Sequence, residues 1–514
     1  MDLNYIDYGC FAIFIVSIVV GSIFVSGHKH EDEEAYFLAG RSLRWWTIGL
    51  SLIAANISTE HFVGMAGRGH EIGLAIASYE WMAAVTLVLV GSVFLPRFIS
   101  MGIFTVPQYL QHRYGETPRL IMAWLVFLAY IFVALATVLY SGSLTLKTIF
   151  GTNLYAGIWA IGLIAGAYTI YGGLKAVVWG EVIHAATLLA GGAMITVLGV
   201  REIGGVARFM ELSADKLHTV LPWDHPEMPW LAVFIGGLWI PNIFYWGLNQ
   251  FISQRALAAR DLQEAQKGIL LAAIIKLFIP FIIVIPGMIA YHLYADQIAV
   301  SDMAYPYLIT QILPSGLKGI MLAALFGAVL STMDSVINSA STIFTMDIYK
   351  NYRPNASSAD LVRVGRLCTA LLVVFGCLWA PIVGGFPSVF QYIQMVWGFI
   401  SPGVVAAFVW GLFNARTPTR AAVGAMLLNP PIYLLLLIYL PDVAFLHHIG
   451  ITFLAISAYI YVVTYMLPET SPAQDIASVN FKKGGPVAVQ ATLSMRVMQA
   501  IVLGGVTFLY VYFY

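Results

Sequence analysis

Long apolar stretches alternate with short polar loops along the whole chain. The stretches are repeatedly about 20 residues long, which is the length that a helix needs to cross the hydrocarbon of a bilayer. The pattern predicts an all-α polytopic membrane protein with about 14 transmembrane helices in contact with lipid. The predicted spans are 6–26, 44–66, 72–96, 119–149, 154–171, 176–200, 230–252, 268–294, 316–347, 361–383, 388–413, 419–440, 447–467 and 493–513.

Two of these spans are interrupted by residues that do not suit a continuous helix. The span 44–66 contains Asn56 and the polar run 58–61, and the span 230–252 contains Pro241, which lacks a backbone donor. Unsatisfied polar groups are costly in hydrocarbon, so both spans are predicted to be discontinuous helices. Their starts are five spans apart, so they run in opposite directions. This arrangement indicates an inverted repeat with a substrate and ion site near the midplane.

The composition supports a membrane protein and excludes several other classes. The chain has 514 residues, 60% hydrophobic and 10% charged, with zero formal net charge, so nothing in the charge favours nucleic acid as a partner. Lys and Arg fall mostly in one set of loops, which predicts that both termini lie outside. The start lacks the pattern of a signal peptide, so 6–26 is expected to be a retained helix. The three cysteines lie in apolar runs and indicate neither disulfides nor a metal site.

Two opposite charges are predicted at matching depth inside the membrane. Glu80 lies about eight residues into its span and Lys276 about nine into its own, too deep for either side chain to reach the interface easily. The pair can be a buried salt bridge that locks two helices, or it can flank a polyhydroxylated ligand. His61 also has two interpretations. It can be a core residue whose polar atoms are hydrogen-bonded within the protein, or it can be part of a polar binding site.

Small hydroxyl residues share one face of the ninth span. Ala328, Ser331, Thr332 and Ser335 recur at helical spacing, which serves close helix packing or offers oxygens to a hard cation. The second use requires carbonyl oxygens opposite, and the break at 54–57 is a source of them. Glu181, His184 and Asp334 are further titratable groups inside spans. Gln394 carries both donors and acceptors, as hydroxyl recognition requires. Catalytic motifs are absent from the sequence, so no enzyme activity is predicted.

Several segments resemble the sodium:solute symporter family, most closely its sodium/glucose (galactose) cotransporter branch. They are Phe37-Leu-Ala-Gly-Arg-Ser-Leu, Ala54-Ala-Asn-Ile-Ser, Ser78-Tyr-Glu-Trp-Met82, Tyr171-Gly-Gly-Leu-Lys-Ala-Val-Val-Trp179, Gln254-Arg-Ala-Leu-Ala-Ala and Asn338-Ser-Ala-Ser-Thr-Ile-Phe-Thr-Met-Asp-Ile-Tyr349. The resemblance implies a leucine-transporter-like fold with two inverted five-helix repeats in a single transport domain, 1–514. The expected parts are an extra helix at 6–26, repeats at 44–200 and 230–413, and extra helices at 419–513.

The resemblance also implies roles for individual residues. The expected sodium ligands are Ala54, Ile57, Ala328, Ser331 and Thr332, and the expected sugar contacts are Asn56, His61, Glu80, Asn242, Lys276 and Gln394. Tyr245 is the expected inner gate, and Met65, Tyr79 and Phe390 are expected to close the outer side. The family pattern has an Asp at the position of Glu181, and this residue is a candidate for a second ion path. Two positions expected around the sugar differ from a bacterial galactose carrier. That carrier has a serine at the position of Ala83 and a glutamine at the position of His61, where animal glucose carriers have histidine.

The resulting hypothesis is a sodium-coupled symporter that imports a hexose such as glucose or galactose by alternating access. Its expected location is a bacterial-type inner membrane, with sodium as the coupling ion. The alternatives are a sodium- or proton-coupled symporter for an inositol, an amino acid or a carboxylate, and, from another class, a channel or a membrane sensor. Glu80 argues against a carboxylate ligand, because two negative charges repel. The sequence leaves the oligomeric state open.

Overall fold

The structure is a computed structural model that describes residues 4–26, 38–57, 60–298, 300–385, 389–466 and 492–514. Within these ranges the chain forms helices and no β-strand, apart from isolated bridges that join Leu43 to Ala259 and Leu221 to Pro229. The predicted all-α fold class is therefore confirmed.

Helices occur throughout the described ranges. The α-helices are Tyr5–Ser26, Trp45–Asn56, Ala66–Ile72, Ser78–Leu89, Leu95–Ser100, Pro107–Tyr114, Glu116–Ala129, Ala136–Phe150, Leu154–Ile203, Val206–Leu212, Trp230–Phe234, Trp239–Ile243, Gln250–Leu257, Leu262–Lys276, Ile279–Tyr294, Ala304–Ile312, Leu317–Ile343, Lys350–Tyr352, Ser358–Val383, Val389–Gly398, Ser401–Phe413, Thr419–Tyr439, Phe445–Tyr465 and Leu493–Tyr512. Wider π-type turns cover Glu60–Met65, Val90–Phe94, Tyr130–Leu135, Phe244–Leu248 and Phe344–Tyr349, and short 3₁₀ turns cover Ala39–Arg41, Gly73–Ala77, Ala214–Lys216, Ala295–Gln297 and Ser301–Met303.

The predicted count of about 14 spans is not confirmed. Ten described helices are long and apolar enough to cross a membrane, or eleven if the pair Tyr392–Gly398 and Ser401–Phe413, bent by 44°, forms one span. The other predicted spans correspond to shorter pieces. The apolar parts Tyr5–Phe14 and Leu154–Ala167 are short, and the span 44–66 is divided because its helix ends at Asn56.

Both predicted spans are interrupted, but the second is interrupted at Asn249 and not at Pro241, which lies inside helix Trp239–Ile243. Helix Trp45–Asn56 stops at Ile57, whose φ of −76° and ψ of 100° are extended rather than helical, and the chain is helical again from Glu60. We call this interruption the first break. In the second interrupted span, extended backbone at Asn249 (φ −85°, ψ 121°) separates the turn Phe244–Leu248 from helix Gln250–Leu257. We call this interruption the second break.

Helix Leu317–Ile343 lies at the centre of the molecule and carries the predicted hydroxyl face. It packs against Trp45–Asn56, Leu154–Ile203 and Ser358–Val383, and nearly all of its residues are buried. Helix Ala136–Phe150 also packs against it through a small residue: a Cβ added at Gly142 would lie 2.6 Å from the side chain of Val329.

A second close approach brings the first break next to Lys276. Helix Trp45–Asn56 packs along Leu262–Lys276 through facing glycines. A Cβ at Gly49 would lie 2.9 Å from the carbonyl oxygen of Gly268, so larger side chains would separate the two helices. Because the contact continues to the ends of both helices, Asn56 and Lys276 meet.

Candidate functional site

A cavity lies between the two interrupted spans. The residues singled out in the sequence that line it are Asn56, His61, Met65, Tyr79, Glu80, Ala83, Pro241, Asn242, Tyr245, Thr332 and Gln394. Positions far apart in the chain therefore meet at one site.

The predicted pairing of Glu80 with Lys276 is present. The ammonium of Lys276 forms an ion pair with Glu80, donates to Asn56 Oδ1 at 2.7 Å and lies 4.5 Å from the ring centre of Trp246. Lys276 is fully buried and is not among the residues that line the cavity. Glu80 does line it. The ion pair thus joins two helices and also positions a carboxylate on the cavity wall.

His61 lies beside this ion pair. Its Nε2 is 3.5 Å from Glu80 Oε1, so the ring extends the cluster along the wall. Among the described residues, the buried Nδ1 of His61 has no hydrogen-bond partner, and the same holds for Nδ2 of Asn242 across the cavity. Because buried polar atoms are normally paired, these two atoms are available to a polar ligand.

The first break is connected to the second interrupted span at the cavity floor. Asn56 Nδ2 donates to the Tyr245 hydroxyl at 3.1 Å, and the Tyr245 ring packs edge-on against Phe251, with 5.3 Å between ring centres. Tyr245, the predicted inner gate, therefore lines the cavity and packs against helix Gln250–Leu257, whose Phe251 lines the cavity as well.

The residues predicted to close the outer side are described in part. Met65 and Tyr79 are buried and line the cavity. Phe390 lies in helix Val389–Gly398, but its side chain is outside the described residues.

The predicted sodium ligands lie where the first break faces helix Leu317–Ile343. Ala54, Ile57, Ala328, Ser331 and Thr332 are all buried, and Thr332 Oγ1 donates to the carbonyl of Ala55 at 3.4 Å. The last carbonyls of a helix have no partner within that helix. In helix Trp45–Asn56 the chain itself satisfies Ile53, whose oxygen accepts from the Ile57 amide at 2.8 Å.

One hydroxyl at this junction is left over. Ser331 Oγ is buried and has no hydrogen-bond partner among the described residues. An orphaned hydroxyl next to the carbonyl end of a broken helix is the donor set that hard cations such as sodium prefer.

The other titratable residues that the sequence analysis placed within spans are Asp334, Glu181 and His184. Asp334 is buried, with Oδ1 accepting from the Thr169 hydroxyl at 2.7 Å. Glu181 and His184 lie in helix Leu154–Ile203, but their side chains are outside the described residues.

Several apolar residues of the wall were not singled out in the sequence analysis. Among them are Ala134, Val138, Leu238, Phe244 and Trp397, which line the cavity together with the predicted polar groups. The signal in the sequence was weak, because apolar residues in a membrane chain look the same whether they face lipid, protein or a cavity.

Comparison with known proteins gives the same picture. A model of the sodium:solute symporter family matches residues 36–429. The chain belongs to this family. A sodium/glucose cotransporter of Vibrio parahaemolyticus is 44% identical over 464 residues, which cover 84% of this chain and 85% of that protein. Members of the family are transporters, so the protein is a multi-pass membrane transporter and not an enzyme.

More distant members of the family differ in their named solutes. Sodium/glucose cotransporter 2 of Rattus norvegicus is 34% identical over 81% of this chain and 70% of its own length. The sodium/myo-inositol cotransporter of Bos taurus is 35% identical over 80% of this chain and 63% of its own length.

Solved symporter structures share the fold. A Na⁺-coupled sialic acid symporter in a substrate-bound outward-open state matches with a TM-score of 0.82 at 21% identity, over 92% of this chain and 100% of that one. A nucleobase-cation-symport-1 transporter, closed with bromovinylhydantoin bound, matches with a TM-score of 0.53 at 16% identity, over 84% and 94%. The predicted symporter fold is confirmed.

Proposed function

We propose that this symporter couples sodium to the import of a sugar, a hexose such as glucose or galactose, by alternating access. The observation that carries the proposal is the gathering of Asn56, His61, Glu80, Asn242 and Gln394 on one cavity. This cavity adjoins the place where the first break faces helix Leu317–Ile343, which we call the ion junction. The 44% identity to a sodium/glucose cotransporter supports sugar as the solute.

The polar groups of the cavity suit a neutral polyhydroxylated ligand. Sugar hydroxyls both donate and accept, and the amides of Asn242 and Gln394 do the same, while Glu80 accepts. The free atoms Asn242 Nδ2 and His61 Nδ1 offer partners on two sides of the cavity. Aromatic rings between these groups provide flat faces for the apolar side of a sugar ring.

Sodium would bind where the first break meets helix Leu317–Ile343. Its ligands would be the carbonyls of Ala54, Ile57 and Ala328 with the hydroxyls of Ser331 and Thr332. The orphaned hydroxyl of Ser331 supports this assignment.

Coupling would then be local, because Asn56 of the sugar site follows the sodium ligand Ala54 by two residues. Sodium at the first break stabilises the arrangement in which Asn56 and His61 face the cavity, so sodium raises sugar affinity, and sugar raises sodium affinity by the same factor. Release of sodium to the cytosol reverses this effect.

The remaining predicted parts complete the proposal. Tyr245 forms the inner gate, and Met65, Tyr79 and Phe390 close the outer side. Glu181 is assigned to a second ion path. The repeats are 44–200 and 230–413, flanked by extra helices within one domain, in a bacterial-type inner membrane with both termini outside. The positions of the two breaks support the repeats.

A second candidate solute is an inositol. The sodium/myo-inositol cotransporter relative favours it, as does the cavity, which contacts hydroxyls in either case. Uptake of labelled glucose into proteoliposomes under a sodium gradient, with unlabelled galactose, myo-inositol and an amino acid as competitors, tests both proposals. Glucose uptake that galactose reduces supports the first candidate, whereas no glucose uptake, with sodium-driven uptake of labelled myo-inositol instead, supports the second.

A further inference from the structure

We propose that Arg255 is a positioning residue that latches the cytosolic side of the transporter. In this role it holds helix Gln250–Leu257 against both ion-binding elements while sodium is bound. This inference rests on the proposed sodium symport. The latch lies on the side of the ion junction away from the outer-side residues Met65 and Tyr79, and we assign that side to the cytosol.

The guanidinium of Arg255 joins its own helix, Gln250–Leu257, to helices Trp45–Asn56 and Leu317–Ile343. Its Nε donates to Ser51 Oγ at 2.9 Å, on the helix that ends at the first break. Its other nitrogens donate to Ser335 Oγ and to the carbonyl of Phe251. Arg255, Ser51 and Ser335 are all buried.

These contacts lie directly behind the proposed sodium ligands. Ser51 precedes Ala54 by three residues, which is about one turn of the helix. Ser335 Oγ in turn donates to the carbonyl of Ser331 at 2.7 Å. Arg255 therefore touches both walls of the ion junction from the same side, and it determines how closely they stand.

Further hydrogen bonds hold the same short helix in place. Gln254 Nε2 donates to Thr342 Oγ1 at 3.1 Å and Gln254 Oε1 accepts from Ser339 Oγ at 2.8 Å, both on helix Leu317–Ile343. On the opposite side, Gln250 Oε1 accepts from the amide of Val106 at 2.9 Å. Every residue of Gln250–Leu257 is buried, so this helix seals the path below Tyr245.

The chemistry of these contacts suits a seal that must open. Alternating access requires the inner side to separate without unfolding. Hydrogen bonds between side chains can exchange for water at modest net cost. When sodium leaves, the walls of the ion junction lose their common ligand, and Ser51 and Ser335 can part from Arg255.

The test is the accessibility of helix Gln250–Leu257 from the cytosolic side. Ala256→Cys places a thiol on this helix at a buried position. Its reaction with a membrane-impermeant maleimide is followed by peptide mass spectrometry in inside-out vesicles containing the full chain and saturating sodium. The account predicts that adding Arg255→Gln raises the rate at position 256 at least about tenfold, because a charge-assisted hydrogen bond is lost.

A matched control separates the latch from general loosening. Arg113 is also a buried arginine, but it donates to the carbonyls of Gly411, Asn414 and Ala415, away from the ion junction. Arg113→Gln should leave the rate at position 256 within about twofold. Arg255→Lys keeps the charge and should restore part of the protection. Arg255→Gln should also raise the half-saturating sodium concentration, with the half-saturating sugar concentration at saturating sodium unchanged.

Ser335→Ala keeps the test informative if Arg255→Gln does not fold. It removes one acceptor of Arg255 and should raise the labelling rate severalfold. Equal labelling with and without Arg255→Gln, or with Ser335→Ala where only that variant folds, overturns the latch. Labelling does not depend on transport, so loss of the proposed function would show separately, as wild-type protein that takes up no sugar with sodium.

Discussion

The two breaks are similar in backbone geometry but differ in what satisfies them. At the first break, Ser331 Oγ has no described partner, although it is buried next to the end of helix Trp45–Asn56. At the second break, the Tyr130 hydroxyl donates to Asn249 Oδ1 and accepts from the amide of Phe251 at 3.1 Å, and the atom without a described partner is Asn249 Nδ2, an N–H donor that cannot ligate a cation.

This difference separates a binding break from a structural break. A discontinuous helix exposes backbone groups that something must satisfy. Where protein groups do so, as around Tyr130, the interruption shapes the chain and can serve a gate. Where a buried oxygen is left without a described partner, as at Ser331, the interruption can receive an ion. The same sequence signal therefore has two outcomes, which depend on distant residues.

The largest expected effect comes from breaking the ion pair between Glu80 and Lys276, which supports the first break through Asn56. Glu80→Gln leaves the fully buried Lys276 without its carboxylate, and breaking a buried ion pair costs about 3–5 kcal/mol. We expect a large loss of thermal stability together with loss of sugar uptake. Adding Lys276→Met should recover stability but not sugar uptake, as measured by melting and proteoliposome transport. Recovery of uptake in the double variant would show that Glu80 only locks helices.

Removing the unpaired hydroxyl at the first break should have the next largest effect. Ser331→Ala is expected to raise the half-saturating sodium concentration about 10- to 100-fold, since a contact to a charged group is worth about 1.5–3 kcal/mol. Folding should change little, because Ser331 Oγ has no hydrogen-bond partner among the described residues to lose. Sodium titration of sugar uptake measures the shift.

A serine on the same helix serves as the control for that titration. Ser341 is buried, and its hydroxyl donates to the carbonyl of Gly365 at 2.8 Å, away from the junction. Ser341→Ala should cost some stability and leave the sodium dependence unaltered. If Ser331→Ala also leaves it unaltered, the ion ligands are assigned to the wrong residues.

On the cavity side of the first break, Gln394→Ala should weaken sugar binding without affecting sodium. The loss of neutral hydrogen bonds predicts a roughly fivefold rise in the half-saturating sugar concentration. Gln266→Ala is a suitable comparison, because Gln266 is buried and donates to the carbonyl of Gly91 at 2.8 Å, outside the cavity. Equal sugar dependence in the two variants would remove Gln394 from the site.

The smallest expected effect concerns the second break. Tyr130→Phe removes the hydroxyl shared by Asn249 and Phe251 and should cost roughly 1 kcal/mol of stability, with sodium dependence retained. Tyr109→Phe provides the reference, since the buried Tyr109 hydroxyl has no partner within the described ranges. Thermal unfolding of both purified variants checks the difference. A sodium shift in Tyr130→Phe would mean that the second break also binds the ion.

Much of this arrangement could be predicted, because polar and charged residues stand out within the apolar segments of a membrane protein. Polar residues inside apolar runs located the first break, and Pro241 pointed to the second interrupted span. The pairing of Glu80 with Lys276 followed from equal depth alone. The span count was less secure, because helix Trp45–Asn56 is cut short and Leu154–Ile203 forms one helical segment over two predicted spans.

Other features required the three-dimensional arrangement. Lys276 was expected among the sugar contacts, and the structure places it fully buried against Glu80 and Asn56, not among the residues that line the cavity; depth along a helix does not give the direction of a side chain. The roles of Arg255 and Tyr130 depend on partners about 80 to 200 residues away in the sequence. Spacing along one helix carries no trace of such contacts.

The most direct test of the central claim is labelled hexose uptake by the purified chain in proteoliposomes, with an inward sodium gradient and with choline replacing sodium. The account predicts accumulation above the external concentration in sodium and only equilibration or less in choline. Equal uptake in the two conditions would contradict sodium coupling, and the absence of uptake for every hexose would contradict the sugar assignment.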